Sequence, residues 1–352
     1  MKSLNPPSLA KKQKKIKNWD KLPEEEIMQM RIRDLNLQIP GSNLEACVQK
    51  LYDELEAKGI DFKPPCFLAD EWFCPDKIPI IGIPFYLAHP RLKQIEQKMM
   101  FEVEGGTEKQ CMSLLRHECG HAINYAYQLY KKTRWHELFG LFSTRYSDSY
   151  SFQPYSRRYV IHLQDNYAQA HPDEDFAETF AVWLTPENNW HQKYKGWPVI
   201  KKLNYIQGLM ERIGQKEPKV KVLGRPPWAA SRMTSTLSAY YERRRKVLGP
   251  SFQGYYDDSL RRLFVTTPTS SSPIKASKIL RDHQRGLINN VTKWTGHRKY
   301  DIHKLIRRLI TRCDTLKLYV QDDNNDGIIG LAALLTAIAN DTLRVCHERK
   351  RR

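Results

Sequence analysis

The sequence lacks a long apolar run. Its longest apolar stretches, residues 78–88 and 331–339, are shorter than the roughly 20 residues needed to cross a bilayer. Residues 1–17 carry six lysines, yet no apolar segment follows them as in a secretory signal peptide. Together with a mean hydropathy of −0.63, these absences predict a soluble, cytoplasmic protein without a membrane partner.

The sequence also lacks paired cysteines. Its seven cysteines are irregularly spaced and form no C-x-x-C pair. An odd number of scattered cysteines is typical of reduced thiols in the cytoplasm. A structural zinc ribbon, which is built from such pairs, is disfavoured.

Positive charge, by contrast, is in excess. The 352 residues include 57 lysines and arginines against 39 aspartates and glutamates, which gives a net charge of +18. A hydrophobic fraction of 41% with 11% aromatic residues is too high for a disordered chain. The length predicts two or three domains and at least one sizeable core.

Changes in composition divide the chain into four parts. From Arg225 onward there are 25 lysines and arginines against 11 aspartates and glutamates, so +14 of the net charge lies there. A stretch rich in proline and glycine precedes most of this region and marks a boundary. The predicted parts are a basic tail at residues 1–30, a folded domain at residues 31–218, a linker at residues 219–235, and a mainly helical basic region at residues 236–352.

Local patterns predict the elements of the first domain. Thr107 and Gln110 form a capping box at the start of the longest helix, and Lys131 and Lys132 are placed at its negative end. A proline opens the next helix, as is favoured in a first turn. The predicted elements are helices at residues 44–57, 107–132, 172–184 and 197–213, and a small sheet with one strand at residues 80–87.

Residues 117–121 read His-Glu-Cys-Gly-His, an H-E-x-x-H pattern within the longest predicted helix. At 3.6 residues per turn, His117 and His121 project from one face, so both imidazoles can reach one zinc ion. Glu118 is placed to accept a proton from a water at the open position of that ion. The alternative interpretation is that both histidines form a polar face of a core helix.

A catalytic zinc needs a third protein ligand. The metzincin pattern is excluded, because Asn124 and Tyr127 occupy the positions of its glycine and third histidine. Glu174 and Glu178 share one face of the next helix, which fits one metal ligand and one acceptor for a ligating imidazole N–H. The alternative is that these acids simply favour the positive end of the helix dipole. The candidates are His136, His162, His171 and the acidic cluster at residues 173–178.

Three motifs, in a fixed order along the chain, resemble those of a known protein family. They are His-Glu-Cys-Gly-His-Ala-Ile-Asn at residues 117–124, Tyr-Ala-Gln at residues 167–169, and His-Pro-Asp-Glu-Asp-Phe-Ala-Glu-Thr-Phe at residues 171–180. In this order the chain resembles zinc-binding metallopeptidases of the gluzincin type, over about residues 31–210. The resemblance implies an α+β fold with a zincin-like catalytic domain at residues 31–218.

The resemblance also implies roles for individual residues. In gluzincins with a Glu-x-x-x-Glu helix, the first glutamate binds zinc and the second supports a histidine. A tyrosine seven residues before the first glutamate hydrogen-bonds the tetrahedral intermediate. These positions are occupied here by Glu174, Glu178 and Tyr167. With His117 and His121 as the other zinc ligands and Glu118 as general base, the chain is expected to hydrolyse a protein or peptide substrate.

The basic C-terminal region suggests a second kind of partner. Runs of arginine and lysine at residues 243–246, 307–308 and 349–352 lie near aromatic residues in the sequence. Such interleaving is typical of nucleic-acid binding, but a solvated basic face is the commoner explanation. The alternatives to a peptidase are therefore a nucleic-acid-associated protein with a metallopeptidase-like core and a non-catalytic zinc-binding protein. The aromatic residues concerned are Tyr240, Tyr241, Tyr255, Tyr256, Trp294 and Tyr300.

Residues 322–333 resemble an EF-hand calcium loop. Asp322, Asn324 and Asp326 occupy its first, third and fifth positions, and Gly327 follows at the sixth. Position twelve is Ala333, so the bidentate glutamate is missing. A turn between helices, rich in Asp, Asn and Gly, is the favoured interpretation.

Overall fold

The computed structural model describes residues 18–146, 153, 155–163, 166–222, 226–245, 256–267, 273–320 and 324–342. Within these ranges the protein is mainly helical, with one small parallel sheet, so the α+β class holds in this broad sense. No described helix combines the length and apolar character needed to span a membrane. The six described cysteines form no disulfide.

Nine helices, two strands and short 3₁₀ turns make up the described part of residues 18–245. The strands pair in parallel, with Cys66 opposite Ile81 and Ala69 opposite Pro84. The helices are α1 (Glu24–Gln29), α2 (Asn43–Ala57), α3 (Pro90–Met100), α4 (Glu108–Ala126), α5 (Thr133–Phe139), α6 (Pro172–Leu184), α7 (Trp190–Lys193), α8 (Ile200–Ile213) and α9 (Leu237–Arg245), and the strands are β1 (Cys66–Ala69) and β2 (Ile81–Pro84).

Five further helices follow in the described residues after position 255. These are α10 (Asp257–Leu263), α11 (Ala276–Asp282), α12 (Gln284–Thr295), α13 (Lys299–Thr315) and α14 (Asn324–Thr342). The helical character predicted for the C-terminal region is therefore confirmed over the described residues. Asp322 and Asp323 of the calcium-loop candidate lie outside them, and α14 begins at Asn324, inside the segment interpreted as a turn.

The predicted helix caps of the first domain are largely present. Both halves of the Thr107–Gln110 capping box form, and α6 has the predicted bounds, with Pro172 in its first turn. However, α4 ends at Ala126, because the chain turns into the left-handed region at Gln128 (φ 52°). The prediction that Lys131 and Lys132 lie at the end of this helix is therefore wrong.

The predicted strand is shorter than expected. The pairing of β2 covers only Ile81–Pro84, and the chain then forms a 3₁₀ turn at Phe85–Ala88. Pro84 supplies no backbone N–H with which to continue a ladder, so a strand over residues 80–87 is cut short there. The apolar side chains of the turn are nevertheless buried, which explains why their pattern suggested a strand.

Buried apolar side chains form two separate cores. The first core extends from Trp19 to Tyr241 and surrounds α4 and α6. The second core extends from Tyr256 to Ala339 and is built from α10 to α14. The predicted domain limits stay predictions, but the first core includes α9, which follows the predicted linker.

Two expectations about individual segments differ from the structure. Residues 18–30 are not a free tail, because the side chains of Trp19 and Ile27 pack into the first core. Tyr240 and Tyr241 of α9 are buried in the same core, so they do not offer rings to a nucleic acid. Residues 1–17 lie outside the described residues.

Candidate metal centre

Two histidines of α4 point towards one spot. His117 and His121 lie one turn apart, and their Nε2 atoms are 3.2 Å from each other. Both side chains are buried. The face shared by positions i and i+4 of the helix thus produces the paired imidazoles that the H-E-x-x-H spacing predicts.

The carboxylate of Glu174 on α6 completes a triangle of donor atoms. Its Oε2 atom lies 3.0 Å from Nε2 of His117 and 3.1 Å from Nε2 of His121. Donors held about 2.0–2.1 Å from a tetrahedral ion are about 3.3–3.4 Å apart. The three atoms are therefore spaced almost as a metal would require, and among the described residues these three form the one group that could hold an ion.

A close crossing of α4 and α6 brings the triangle together. Gly120, within the H-E-x-x-H motif, faces Ala177 on α6, and a Cβ at position 120 would lie 2.7 Å from the Ala177 Cα atom. No side chain fits into that gap. The absence of a side chain at Gly120 therefore lets the backbone of α6 approach α4 closely enough for Glu174 to meet both histidines.

A buried ion pair holds α6 against α8. Nζ of Lys202 donates to Oδ2 of Asp175 over 2.5 Å. Burial raises the pKa of Asp175 to about 7, although the Lys202 ammonium opposes that shift. Asp175 thus has its partner away from the donor triangle, and it is not a fourth ligand.

Glu178 contacts the far side of His117. Nδ1 of His117 lies 2.7 Å from Oε1 of Glu178, and the backbone N–H of Leu163 donates to the other carboxylate oxygen over 2.9 Å. When Nδ1 carries the proton, Nε2 keeps its lone pair for the centre of the triangle. This is where the sequence-based hypothesis places Glu178.

Asp173 lies at Nδ1 of His121, as Glu178 does at Nδ1 of His117. Sequence reasoning missed this role of Asp173. Its Oδ2 atom lies 3.0 Å from Nδ1 of His121. Asn124 and Tyr125 donate to the two oxygens of Asp173, over 2.7 Å and 2.6 Å. The signal was present, since a second ligating histidine also needs an acceptor, but the dipole at the start of α6 was a sufficient explanation for an acid there.

Tyr146 is a second residue that the sequence did not reveal. Its hydroxyl donates to Oε1 of Glu174 over 2.8 Å, and its ring stacks on His171 with centroids 3.7 Å apart. Tyr146 precedes Glu174 by 28 residues and lies outside any helix. No periodicity links the two positions, so only the folded chain shows this contact.

Charge coupling dominates the titration of the triangle. Burial by itself lowers the pKa of His121, but the carboxylates of Asp173 and Glu174 outweigh it and raise the pKa to about 10. Burial would raise the pKa of Glu174, but His121 and His117 hold it well below its usual range. The surrounding carboxylates thus favour the protonated form of His121, and binding of a metal to the triangle would release a proton.

The other candidate ligands have different partners. His136 donates to the carbonyl oxygen of Tyr130 over 2.6 Å, and His162 to that of Ser113 over 3.0 Å. His171 caps α6, because its Nδ1 accepts the N–H of Asp173. None of these three histidines reaches the triangle.

Glu118 adjoins His117 in the sequence, and Tyr167 adjoins it in space. Glu118 follows His117 on α4 and is fully buried. Tyr167 lies in the 3₁₀ turn Tyr167–Gln169, and its ring centroid is 5.6 Å from that of His117. The structure thus brings His117, His121, Glu174, Glu178 and Tyr167 together, while the catalytic roles of Glu118 and Tyr167 stay predictions.

The donor set fits a divalent cation. Two neutral imidazoles and one carboxylate leave room for a fourth ligand, as in catalytic zinc sites. Three buried acidic side chains contact only two histidines, and an ion would balance that excess of negative charge. They are Asp173, Glu174 and Glu178. Comparisons with protein-family models, curated proteins and solved structures find no match to this chain.

Proposed function

We propose that the protein is a zinc-dependent peptidase of the gluzincin type, with a zincin-like first domain that acts on protein or peptide substrates in the cytoplasm. The donor triangle of His117, His121 and Glu174 carries this proposal, because its spacing and chemistry suit zinc with one open position. The histidine acceptors Asp173 and Glu178 support it further, since catalytic zinc sites orient their histidines in this way.

The residues around the triangle have separate tasks in the proposed reaction. Zinc, when bound, would supply an acidified water and polarise the scissile carbonyl. Glu118 accepts the proton of the water and passes it to the leaving amine. Tyr167 donates a hydrogen bond to the oxygen on which negative charge develops. Asp173 and Glu178 keep both imidazoles in the tautomer that directs Nε2 inward.

Metal content and hydrolysis test this proposal together. The wild-type chain is expected to hold about one zinc by mass spectrometry and to cleave a mixture of unstructured peptides. Glu118→Gln is expected to keep the zinc and to lose roughly 10²–10⁴-fold in rate, since it removes the general base. Glu174→Ala is expected to lose zinc as well. Equal zinc in the Glu174→Ala variant, or full activity in Glu118→Gln, would contradict the assignment.

Burial of the ligands favours a second candidate, a zinc-stabilised protein without catalysis. The three ligands are at most 4% exposed, and Tyr146 lies on the outer oxygen of Glu174. A structural zinc is typically closed in this manner. For this candidate the wild-type chain would hold zinc tightly and cleave no peptide at any enzyme concentration, and Glu118→Gln would change only stability.

A further inference from the structure

A basic cavity lies between the two cores. It has a volume of about 470 Å³ and forms where the end of α3 and Arg245 of α9 meet α13. Five cationic side chains line it, and no acidic side chain does so among the described residues. The cations are Lys98, Arg245, Lys304, Arg307 and Arg308.

Two of these cations are held by neutral groups. Nη2 of Arg245 donates to the carbonyl oxygen of Met99 over 3.0 Å, and Nζ of Lys304 to the carbonyl oxygen of Arg245 over 2.8 Å. A carbonyl fixes the position of a cation but does not cancel its charge. Nζ of Lys98 pairs with Glu24 over 2.7 Å.

The cavity therefore concentrates positive charge. Burial, together with the charge of Arg308, lowers the pKa of Lys304, and burial and Arg307 lower that of His303. An anion between these groups would relieve their mutual repulsion. Because +14 of the net charge lies from Arg225 onward, a long polyanion would gain further contacts outside the cavity that a small anion would not.

Aromatic side chains accompany the charge. The rings of Phe101 and Tyr300 are stacked within the cavity wall, with centroids 6.2 Å apart. Trp294 is 74% exposed and precedes Tyr300 by only six residues, at the end of α12. An exposed indole close in sequence to a cationic groove offers a face on which an unpaired base can stack, whereas a duplex keeps its bases covered.

We propose that this cavity binds the phosphate backbone of a single-stranded nucleic acid and that Trp294 stacks on one of its bases. The function is additional to peptide hydrolysis and does not depend on the metal centre. Since the cavity is formed by side chains from both cores, the bound strand contacts both and fixes α13 against α3.

Fluorescence anisotropy of the full-length chain tests the site. The probe is a labelled strand of roughly 20 thymidines, which is longer than a single site of about 4–16 nucleotides. Arg307→Glu in the cavity is compared with Arg285→Glu, an equal charge reversal at an exposed position of α12 outside it. Thermal unfolding of each variant verifies that it is folded.

The proposal predicts a difference between these two matched variants. Arg307→Glu should weaken binding at least tenfold and reduce the slope of log K against log salt by about 0.7, the value for one lost phosphate contact on a single strand. Arg285→Glu should change affinity less than about threefold. Trp294→Ala should weaken binding about tenfold through lost stacking.

Four results would overturn the proposal. The first is no binding by the wild-type chain at about 50 mM salt. The second is an equal loss in Arg307→Glu and Arg285→Glu, which would indicate general attraction to a basic surface. The third is tighter binding of the same sequence as a duplex. The fourth is displacement of the strand by inorganic phosphate at matched ionic strength, which would indicate a site for a small anion.

Discussion

In the first core, α4 and α6 bury five acidic side chains with two histidines, whereas α11 to α14 in the second core bury mostly aliphatic side chains. Asp301, which pairs with Arg298 over 2.8 Å, is the one acid buried among the described residues from 256 to 342. Buried charges persist in proteins when they are paired or bind a metal. Stability should therefore depend on an ion in the first core and on packing in the second.

Removal of metal should produce the largest difference in stability between the two cores. A metal present at about 1,000 times its Kd stabilises a protein by about 4 kcal/mol, and a strong chelator would remove that contribution. We expect hydrogen exchange, followed by mass spectrometry, to speed up in α4 and α6 and to stay unchanged in α11 to α13. Added zinc should restore protection, and equal acceleration in both cores would contradict the contrast.

A cavity made in the second core should destabilise that core and leave the metal centre of the first core unchanged. Leu305 on α13 is 1% exposed, so Leu305→Ala should cost roughly 2–5 kcal/mol and accelerate exchange in α12 to α14. Zinc content should stay at the wild-type level. The matched control is Ile329→Ala, at a position 67% exposed on α14, which should change stability by less than about 0.5 kcal/mol. Loss of zinc in Leu305→Ala would show that the cores are coupled.

Replacement of glycine by alanine should have opposite effects on stability in the two cores. Gly120→Ala places a methyl group 2.7 Å from Ala177 Cα, so α4 and α6 must separate, at a cost of about 2 kcal/mol, with weaker zinc binding. Gly286 on α12 has no atom near its missing Cβ, so Gly286→Ala should stabilise the second core by about 0.5–1 kcal/mol. Chemical denaturation measures both. If Gly120→Ala stabilised the protein, the close crossing of α4 and α6 would not explain how the donor triangle forms.

The smallest expected effect concerns Asp173, whose contact with His121 was not predicted from the sequence. Asp173→Asn keeps the shape of the side chain but weakens the acceptor for Nδ1 of His121. We expect zinc affinity to fall about tenfold, the lower end for such outer partners, as measured by competition with a chromogenic chelator. Asp258→Asn, at a 90% exposed side chain in α10, is the control. If zinc affinity were unchanged in Asp173→Asn, Asp173 would not be the acceptor that orients His121.

The sequence predicted the part of the site that local periodicity determines. His117 and His121 follow from the spacing of four residues, and α6 was predicted because a proline, Pro172, opens it. Both glutamates of α6 then fall on one face. The contact of Tyr146 could not be predicted in this way, because it depends on how distant segments meet. That of Asp173 was missed because the helix dipole already explained an acid at the start of α6.

The mispredicted parts of the fold have the same physical origin. Trp19 follows a lysine-rich stretch, yet tertiary packing buries it in the first core. The end of α4 depends on the backbone of Gln128, a residue type with no strong preference for the left-handed region. Local composition suggests solvent or helix at these positions, and long-range packing decides otherwise.

The close crossing at Gly120 and Ala177 also has a consequence for the order of folding. The two histidines are only four residues apart, so an early α4 can bind a metal weakly by itself. Glu174 is 53 residues further along the chain from His121 and joins only after α6 has docked, a step slowed by the entropy of closing a long loop. Full metal affinity should thus develop late in folding, and a nascent chain would complete its candidate metal centre only once the first core has formed.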